Sequence, residues 1–209
     1  MATKLGIYND ALLNLGSERL ASLTEPSASR RALDDGWDGN LSFCLEQGYW
    51  NFALRAVQID ASDSVVPTFG YQSAFAKPTD YIRMYRLSVY DTFEPPLLDI
   101  VDEPNYWFAN CDPLYVKYVS DDTAYGRDLS IWPETFAEFV STRLANKVCK
   151  RITGKEPSDA MMRQEKKTLI DARGKDAMNE PPGFPPQGTW VRARRGLFAT
   201  RTRRDETYG

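Results

Sequence analysis

The 209-residue chain contains no histidine. That absence removes the commonest general base, the usual catalytic triads and nearly every zinc site outside an all-cysteine one. Its three cysteines, Cys44, Cys111 and Cys149, stand too far apart for a CxxC chelate or redox motif. They read as small packing residues of a reducing compartment. No apolar run approaches the ~20 residues needed to cross a bilayer. The segment MATKLGIYNDALLNLG carries one lysine ahead of an aspartate and two asparagines, which is not the pattern of a signal peptide. A Gly-rich phosphate loop, a GxSxG elbow and an EF-hand loop are all missing, as is any internal repeat. No cofactor and no metal are expected.

What is present is unevenly charged. Residues 181–209 hold six arginines, at 192, 194, 195, 201, 203 and 204, against Asp205 and Glu206, a net +4 that leaves −7 on residues 1–180 of a chain whose total is −3. An acidic body followed by a basic, proline-led tail is the strongest organisational signal.

Within the body, Leu5, Tyr8, Leu12 and Leu15 recur at helical spacing, with Ile7 and Ala11 widening the stripe, and predict a helix from Thr3 to Leu15 ended by Gly16. Leu33, Trp37, Leu41 and Leu45 predict a second helix from Ser27 or Ser29 to Gln47, stopped by Gly48. From Trp50 the period falls to two, with Phe52, Leu54, Ala56 and Gln58 on one side. Strand signals follow at Tyr71 to Ala76, Leu97 to Val101, Tyr106 to Ala109 and Leu114 to Val119. The last two flank Asn110-Cys111-Asp112-Pro113, a turn composition that predicts a β-hairpin. Tyr81 to Leu87 fits neither period. Trp132-Pro133-Glu134 opens a helix carrying Phe136, Val140, Leu144, Val148 and Ile152, with Lys147, Lys150 and Arg151 toward its end and Gly154 beyond. A fourth helix starts after Ser158 and reaches Met178. The expected fold is α+β and predominantly α: a four-helix body over 1–180, a small antiparallel β part inserted at about 50–125, and an extended arm over 181–209. Leu33, Trp37, Phe136 and Val140 are expected core residues.

The arm has four prolines, and at ~3.3–3.6 Å per residue it could reach about 100 Å, several times the ~16 Å radius of gyration of such a body. It also carries the apolar side chains Phe184, Trp190, Val191, Leu197 and Phe198, which a merely solubilising tail lacks. A frayed terminus is the competing reading. RARRG and RTRR offer phosphate contacts, with Trp190 and Phe198 for stacking, so nucleic-acid binding through the arm is one open alternative. Arginine forks bind carboxylates equally well, so docking on a neighbouring protein is another. For catalysis the chain offers mainly carboxylates. Asp34 and Asp38 share a helical face at i, i+4 and Asp121-Asp122 follow the last strand, which leaves open a cell-wall hydrolase using a carboxylate pair. Solvated like charges at this spacing are the plainer reading.

Several strings, in order, resemble one family: YNDALLNLGSERLASLTE, RRALDDGWD, CLEQGYWNFALRA, DPLYVKYVSDD, IWPETFAEFVSTRLA and DARGKDAMNEPPGFPPQGTWVRARRG. Together they look like the head-to-tail adaptors of tailed bacteriophages, the tail tubular protein A or connector family. The resemblance implies a structural virion protein and not an enzyme. It implies a ring, expected to be dodecameric, that joins the portal protein to a nozzle resembling tail tubular protein B. It also implies genomic DNA passing through the channel without specific binding, assembly in the host cytoplasm, a place in the portal-proximal tail, and no membrane partner. WVRARRG falls on Trp190 to Gly196, and an arm gripping the portal is the role assigned to it. The expected portal-binding residues are Phe184, Trp190, Arg192, Arg194, Arg195 and Phe198.

Overall fold

The computed structural model describes Met1–Asn179, which form one compact unit; the arm and its six expected portal-binding residues lie outside the described residues. Four helices carry the body: α1 (Lys4–Asn14), α2 (Ala28–Glu46), α3 (Glu134–Thr153) and α4 (Asp159–Met178). Side chains that accept backbone N–H groups start three of them. Thr3 takes Gly6 N–H at 3.1 Å, Ser27 takes Arg30 N–H at 3.2 Å and Ser158 takes Met161 N–H at 3.3 Å, each satisfying a donor that has no partner within the helix. α1 closes in a Schellman motif: Gly16 is left-handed (φ 66°), its N–H bonds Leu13 C=O, and Ser17 N–H bonds Leu12 C=O, a geometry that favours glycine. Gly48, expected as a helix stop of the same kind, has another role. A Cβ there would sit 2.8 Å from the Trp50 ring, so glycine is what lets the indole fold back and donate to Cys44 C=O at 3.0 Å.

α3 is the centre of the helical part, packing against α1, α2 and α4. Its apolar side chains Phe136, Phe139, Val140 and Leu144 are buried with Leu33, Trp37 and Leu41 of α2 and with Tyr8 and Leu12 of α1. The expected core residues Leu33, Trp37, Phe136 and Val140 all lie there. Around this core, Lys147 Nζ donates to Gly36 C=O at 3.1 Å and Arg151 pairs with Asp35 at 2.5 Å, joining α3 to α2. Arg143 and Asn146 both donate to Glu165 at 2.6 Å, joining α3 to α4.

Between α2 and α3 the chain builds two small antiparallel sheets. Sheet A runs β1 (Leu54–Ile59), β6 (Leu114–Ser120) and β3 (Tyr81–Ser88) side by side; sheet B runs β2 (Ser73–Ala76), β5 (Tyr106–Ala109) and β4 (Val101–Asp102). The expected hairpin of β5 with β6 does not form. β5 pairs with β2 and β4, and β6 lies between β1 and β3. The residues between them serve other loops instead, since Asn110 Oδ1 accepts Gln72 N–H at 2.9 Å and Asp112 Oδ1 accepts Ala61 N–H at 3.1 Å. The strand expected at Leu97 to Val101 contracts to Val101–Asp102, because the N–H of Leu97 bonds instead to Leu87 C=O of β3 at 2.8 Å.

The sheets stack face to face. Leu87, Leu114, Val116 and Tyr118 of sheet A meet Phe75, Trp107 and Ala109 of sheet B in a second core, with Val57, Ile59 and Met84 at its margin. The face of β1 bearing Ala56 and Gln58, which the period of two places on one side with Leu54, is exposed beyond Leu54. Leu54, Val119 and Ile82 form the end of sheet A that seats on the helical core. β3 holds two bulges, at Ile82 and Tyr85. They put Tyr81, Met84 and Leu87 toward the second core at a spacing of three, which is why this stretch fits neither sequence period.

Asp80 ties the start of β3 to its neighbours. Its carboxylate accepts from Tyr118 Oη at 3.0 Å, from Arg55 Nη1 at 3.0 Å and from Ser120 Oγ. Burial alone would raise its pKa, but the bonds from Ser120, Arg55 and Tyr118 outweigh it and hold the group below the usual carboxylate range. A depressed carboxylate stabilises the fold above its ordinary pKa of about 4 and loses that contribution as pH falls through the lower folded value. Asp80→Asn is therefore expected to cost about 2 kcal/mol at neutral pH and progressively less in acid. Urea melts at pH 7 and pH 2 check this, and an equal penalty at both would contradict it.

Trp37 is 7% exposed, meets the Tyr8 ring edge-on at 5.5 Å and lies beneath Lys4 Nζ. Trp37→Ala is expected to cost ~3–5 kcal/mol as a large-to-small core change. Leu13→Ala, at a site 70% exposed on α1, should stay within ~0.5 kcal/mol. Thermal melting of the two variants beside the parent reads the contrast; a Trp37→Ala melt within a degree or so of the parent would refute it.

Candidate functional site

The i, i+4 carboxylates of α2 do not converge on a common site. Asp34 accepts from Tyr8 Oη at 2.8 Å and pairs with Arg30 and, at 3.6 Å, with Lys4. Burial and then the bond to Asp34 push the Tyr8 phenol well above its ordinary range, so this hydroxyl stays protonated and serves as a donor. Asp38 instead pairs with Arg127 at 2.6 Å, and the same guanidinium grips Asp121 at 2.5 and 3.1 Å. Asp122 accepts the N–H of Ala124 at 2.8 Å and shapes the loop after β6. Asp34 is thus tied to Tyr8, Arg30 and Lys4, while Asp38 and Asp121 share the guanidinium of Arg127, so the α2 pair is split between two partner sets.

The interior offers packing groups. Cys44 and Cys149 are buried and all three thiols are free; burial pushes the Cys44 thiol far up, the opposite of an activated nucleophile. Among the described residues no cluster of three or more Cys, Asp or Glu could hold a metal ion, and no helix is long and apolar enough to cross a membrane. A cavity of about 220 Å³ lies among α1, α3 and α4, lined by Asn14, Thr142, Asn146, Met161 and Gln164. Its lining combines amide and hydroxyl groups with the Met161 thioether and the methyls of Ala145 and Ala160, and holds no titratable group.

The open faces of the β-sandwich are more distinctive. Beyond the end covered by helices, sheet A presents Tyr115 and Lys117 of β6, half-buried and opposite Gln58 and Ala56 of β1. On the other side of β6, the Tyr85 bulge sets Tyr85 and Arg86 on this same surface. Lys117 Nζ lies 5.2 Å from the Tyr85 ring centre and the Arg86 guanidinium 5.8 Å, while the Tyr49 ring meets Tyr85 edge-on at 5.2 Å. Arg83 stacks on Tyr49 at 4.3 Å and donates to Glu46 C=O at 3.0 Å; Arg173 of α4 donates to Gln47 C=O at 2.8 Å. Both cations suit the negative end of the α2 dipole. A strip of four cations edged by tyrosines therefore runs from the end of α2 across sheet A. Arg86 lies 4.0 Å from the exposed Glu94, and Lys117 has no ion pair among the described residues.

Sheet B carries the opposite sign. Alternation along β5 turns Trp107 and Ala109 inward and leaves Tyr106 and Phe108 outward, their rings stacked at 6.4 Å. Val101 pairs with Phe108 on that outer side. Asp99 and Glu103, both exposed, stand two residues to either side of Val101. Tyr71 Oη donates to Asp99 at 3.0 Å, joining the loop of Phe69 to that of Leu98, side chains 85% and 87% exposed. Residues 60–112 hold nine acidic against three basic side chains, a net −6 shared between the sheets, since the segment also includes β3 of sheet A and the exposed Glu94 beside Arg86.

Reading the sequence for function pointed to the arm and to Asp34 and Asp38 and missed both sandwich faces. YIRMYR carries two of the four cations of the basic face, but only the pairing of β3 with β6 brings Arg86 beside Lys117. No family model matches the sequence, and no curated protein matches it.

Proposed function

We propose that the chain is a structural virion protein of a tailed phage, an adaptor whose ring joins the portal to the tail nozzle and continues the DNA channel. The observation that carries this reading is the ordered run of strings, from YNDALLNLGSERLASLTE to WVRARRG, that resembles the head-to-tail adaptors. An α+β body of four helices with an inserted β part agrees with it. So does the charge division: an acidic body facing a channel lets DNA slide without sticking, while a long basic arm with aromatic anchors adds contact area on a partner without enlarging the body. In this reading Phe184, Trp190 and Phe198 seat in the portal and Arg192, Arg194 and Arg195 supply charge. The separate ion pairs of Asp34 and Asp38 weigh against a hydrolase built on them.

Deleting residues 184–209 should leave the body folded and abolish stable portal attachment. Trp190→Ala and Arg194→Ala should each weaken attachment by ~2 kcal/mol or more, as buried aromatics and arginines do at interfaces, while Arg192 and Arg195 should matter more at low salt. Co-sedimentation with portal, run beside a DNA gel shift, reads the outcome. Retained portal binding with lost DNA binding would replace the adaptor arm with a nucleic-acid arm.

By itself the chain should be mainly monomeric at low micromolar concentration, because among the described residues the largest apolar side chains are buried in the two cores and exposed ones such as Leu13, Leu98 and Ile170 lie on separate elements. Size exclusion with and without portal checks this; stable twelve-fold rings formed without portal would refute it.

A further inference from the structure

The outer faces of a two-layer sandwich point in opposite directions, and here exposed charges of opposite sign accompany the two sheets. Sheet A presents Arg86 and Lys117 against Tyr85. At sheet B the edge strand β4 is flanked by Asp99 and Glu103, both exposed, with Phe69 and Leu98 exposed on the loops that Tyr71 and Asp99 join. We propose that the protein associates head to tail with second copies of itself, the basic, tyrosine-edged face of sheet A receiving the acidic, apolar-edged face of sheet B from the next copy.

Charge complementarity within one chain is what selects a second copy as the occupant. A nucleic acid would satisfy Arg86 and Lys117 but leave the acidic face and its two exposed apolar side chains unmatched. A neighbouring copy matches both faces at once. Because the two faces differ and point apart, the contact is heterologous: each copy uses one face on each side, and the chain of contacts closes into a ring if the rotation per copy allows. Exposed ion pairs are individually weak, so the contact is expected to be slight in dilute solution and to strengthen when copies are held side by side at high effective concentration. The inference rests on the adaptor reading for that setting and gives the ring its lateral contact.

The test uses the full chain in sedimentation equilibrium over rising concentration, at ionic strengths of about 0.01 M and about 1 M, where charges are felt over about 30 Å and about 3 Å. Self-association is expected at the lower salt and its loss at the higher. Arg86→Glu with Lys117→Glu, and separately Asp99→Lys with Glu103→Lys, should each weaken association about tenfold or more. Circular dichroism should show both variants folded. Mixing the two variants should restore association, because each face of one then meets an opposite charge on the other. The proposal is overturned if the parent chain does not associate at low salt, if either double variant associates like the parent, or if the mixture fails to restore what each variant lost. Loss of duplex binding in Arg86→Glu/Lys117→Glu with unchanged self-association would give the basic face to nucleic acid and overturn it too. Portal co-sedimentation separates this inference from the adaptor reading. Association through these faces without portal binding would end the adaptor reading and keep the contact; portal-bound rings of unchanged copy number from Arg86→Glu/Lys117→Glu would end the contact and keep the adaptor.

Discussion

Burial of α3 on three sides is the constraint from which the rest of the body follows. α1, α2 and α4 each pack on it, so its buried positions exceed the usual single stripe and include Ser141 and Thr142 beside the apolar residues. Its first turn does further work. Phe136 touches Trp50 at 4.8 Å, Phe52 at 4.8 Å and Trp132 at 4.9 Å between ring centres. Trp50 and Trp132 are where the chain leaves and re-enters the helical part. Each indole is fixed by its N–H, to Cys44 C=O and to Gly126 C=O respectively, at 3.0 Å. Both ends of the β insertion are therefore anchored on one aromatic side chain, and the chain between them builds a second core without opening the first.

β6 carries the load between the two cores. Its even-numbered side chains Leu114, Val116 and Tyr118 enter the sandwich, while Val119 enters the helical cluster. A strand buried on both faces at one end and open on one face at the other has no simple alternation along its whole length. This is also where the sequence was least legible. Helices α1 to α4 were readable because their caps and four-residue spacing are local: Thr3, Ser27 and Ser158 each act within three residues of themselves. Sheet membership is decided by partners far along the chain. Asn110 to Pro113 have hairpin composition, yet β5 joins Ser73–Ala76 and β6 joins Leu54–Ile59, a choice made by Trp107 and Val116 packing across the sandwich. Likewise the two bulges of β3 replace alternation by a spacing of three, which no search for periods of two or 3.6 detects.

The candidate site divides in the same way. The carboxylates of α2 could be found by their spacing, but their partners Tyr8, Arg127 and Lys4 come from other elements, and only the fold shows that they are taken. The charge imbalance of the arm was visible by counting. The charge imbalance of the sandwich was not, because Arg86 and Lys117 are close only through the register of β3 on β6.

Not every cation of the basic strip is accounted for by the fold. Arg83 and Arg173 have structural work, since they close the α2 carbonyl end through Glu46 and Gln47, where a positive charge opposes the helix dipole. Arg86 and Lys117 have none of comparable weight: one ion pair at 4.0 Å to an exposed Glu94, and contacts with one tyrosine ring. Mutual repulsion between two cations on neighbouring strands costs some stability, and the −7 body around them offsets only part of it at a distance screened by salt. Across the sandwich, Asp99 is held by Tyr71 Oη at 3.0 Å while Glu103 has no ion pair among the described residues, and their like charges flank an exposed Val101. In the isolated subunit water and counterions compensate these groups, which leaves Arg86, Lys117 and Glu103 able to meet a surface of opposite sign without giving up a bond that the fold needs.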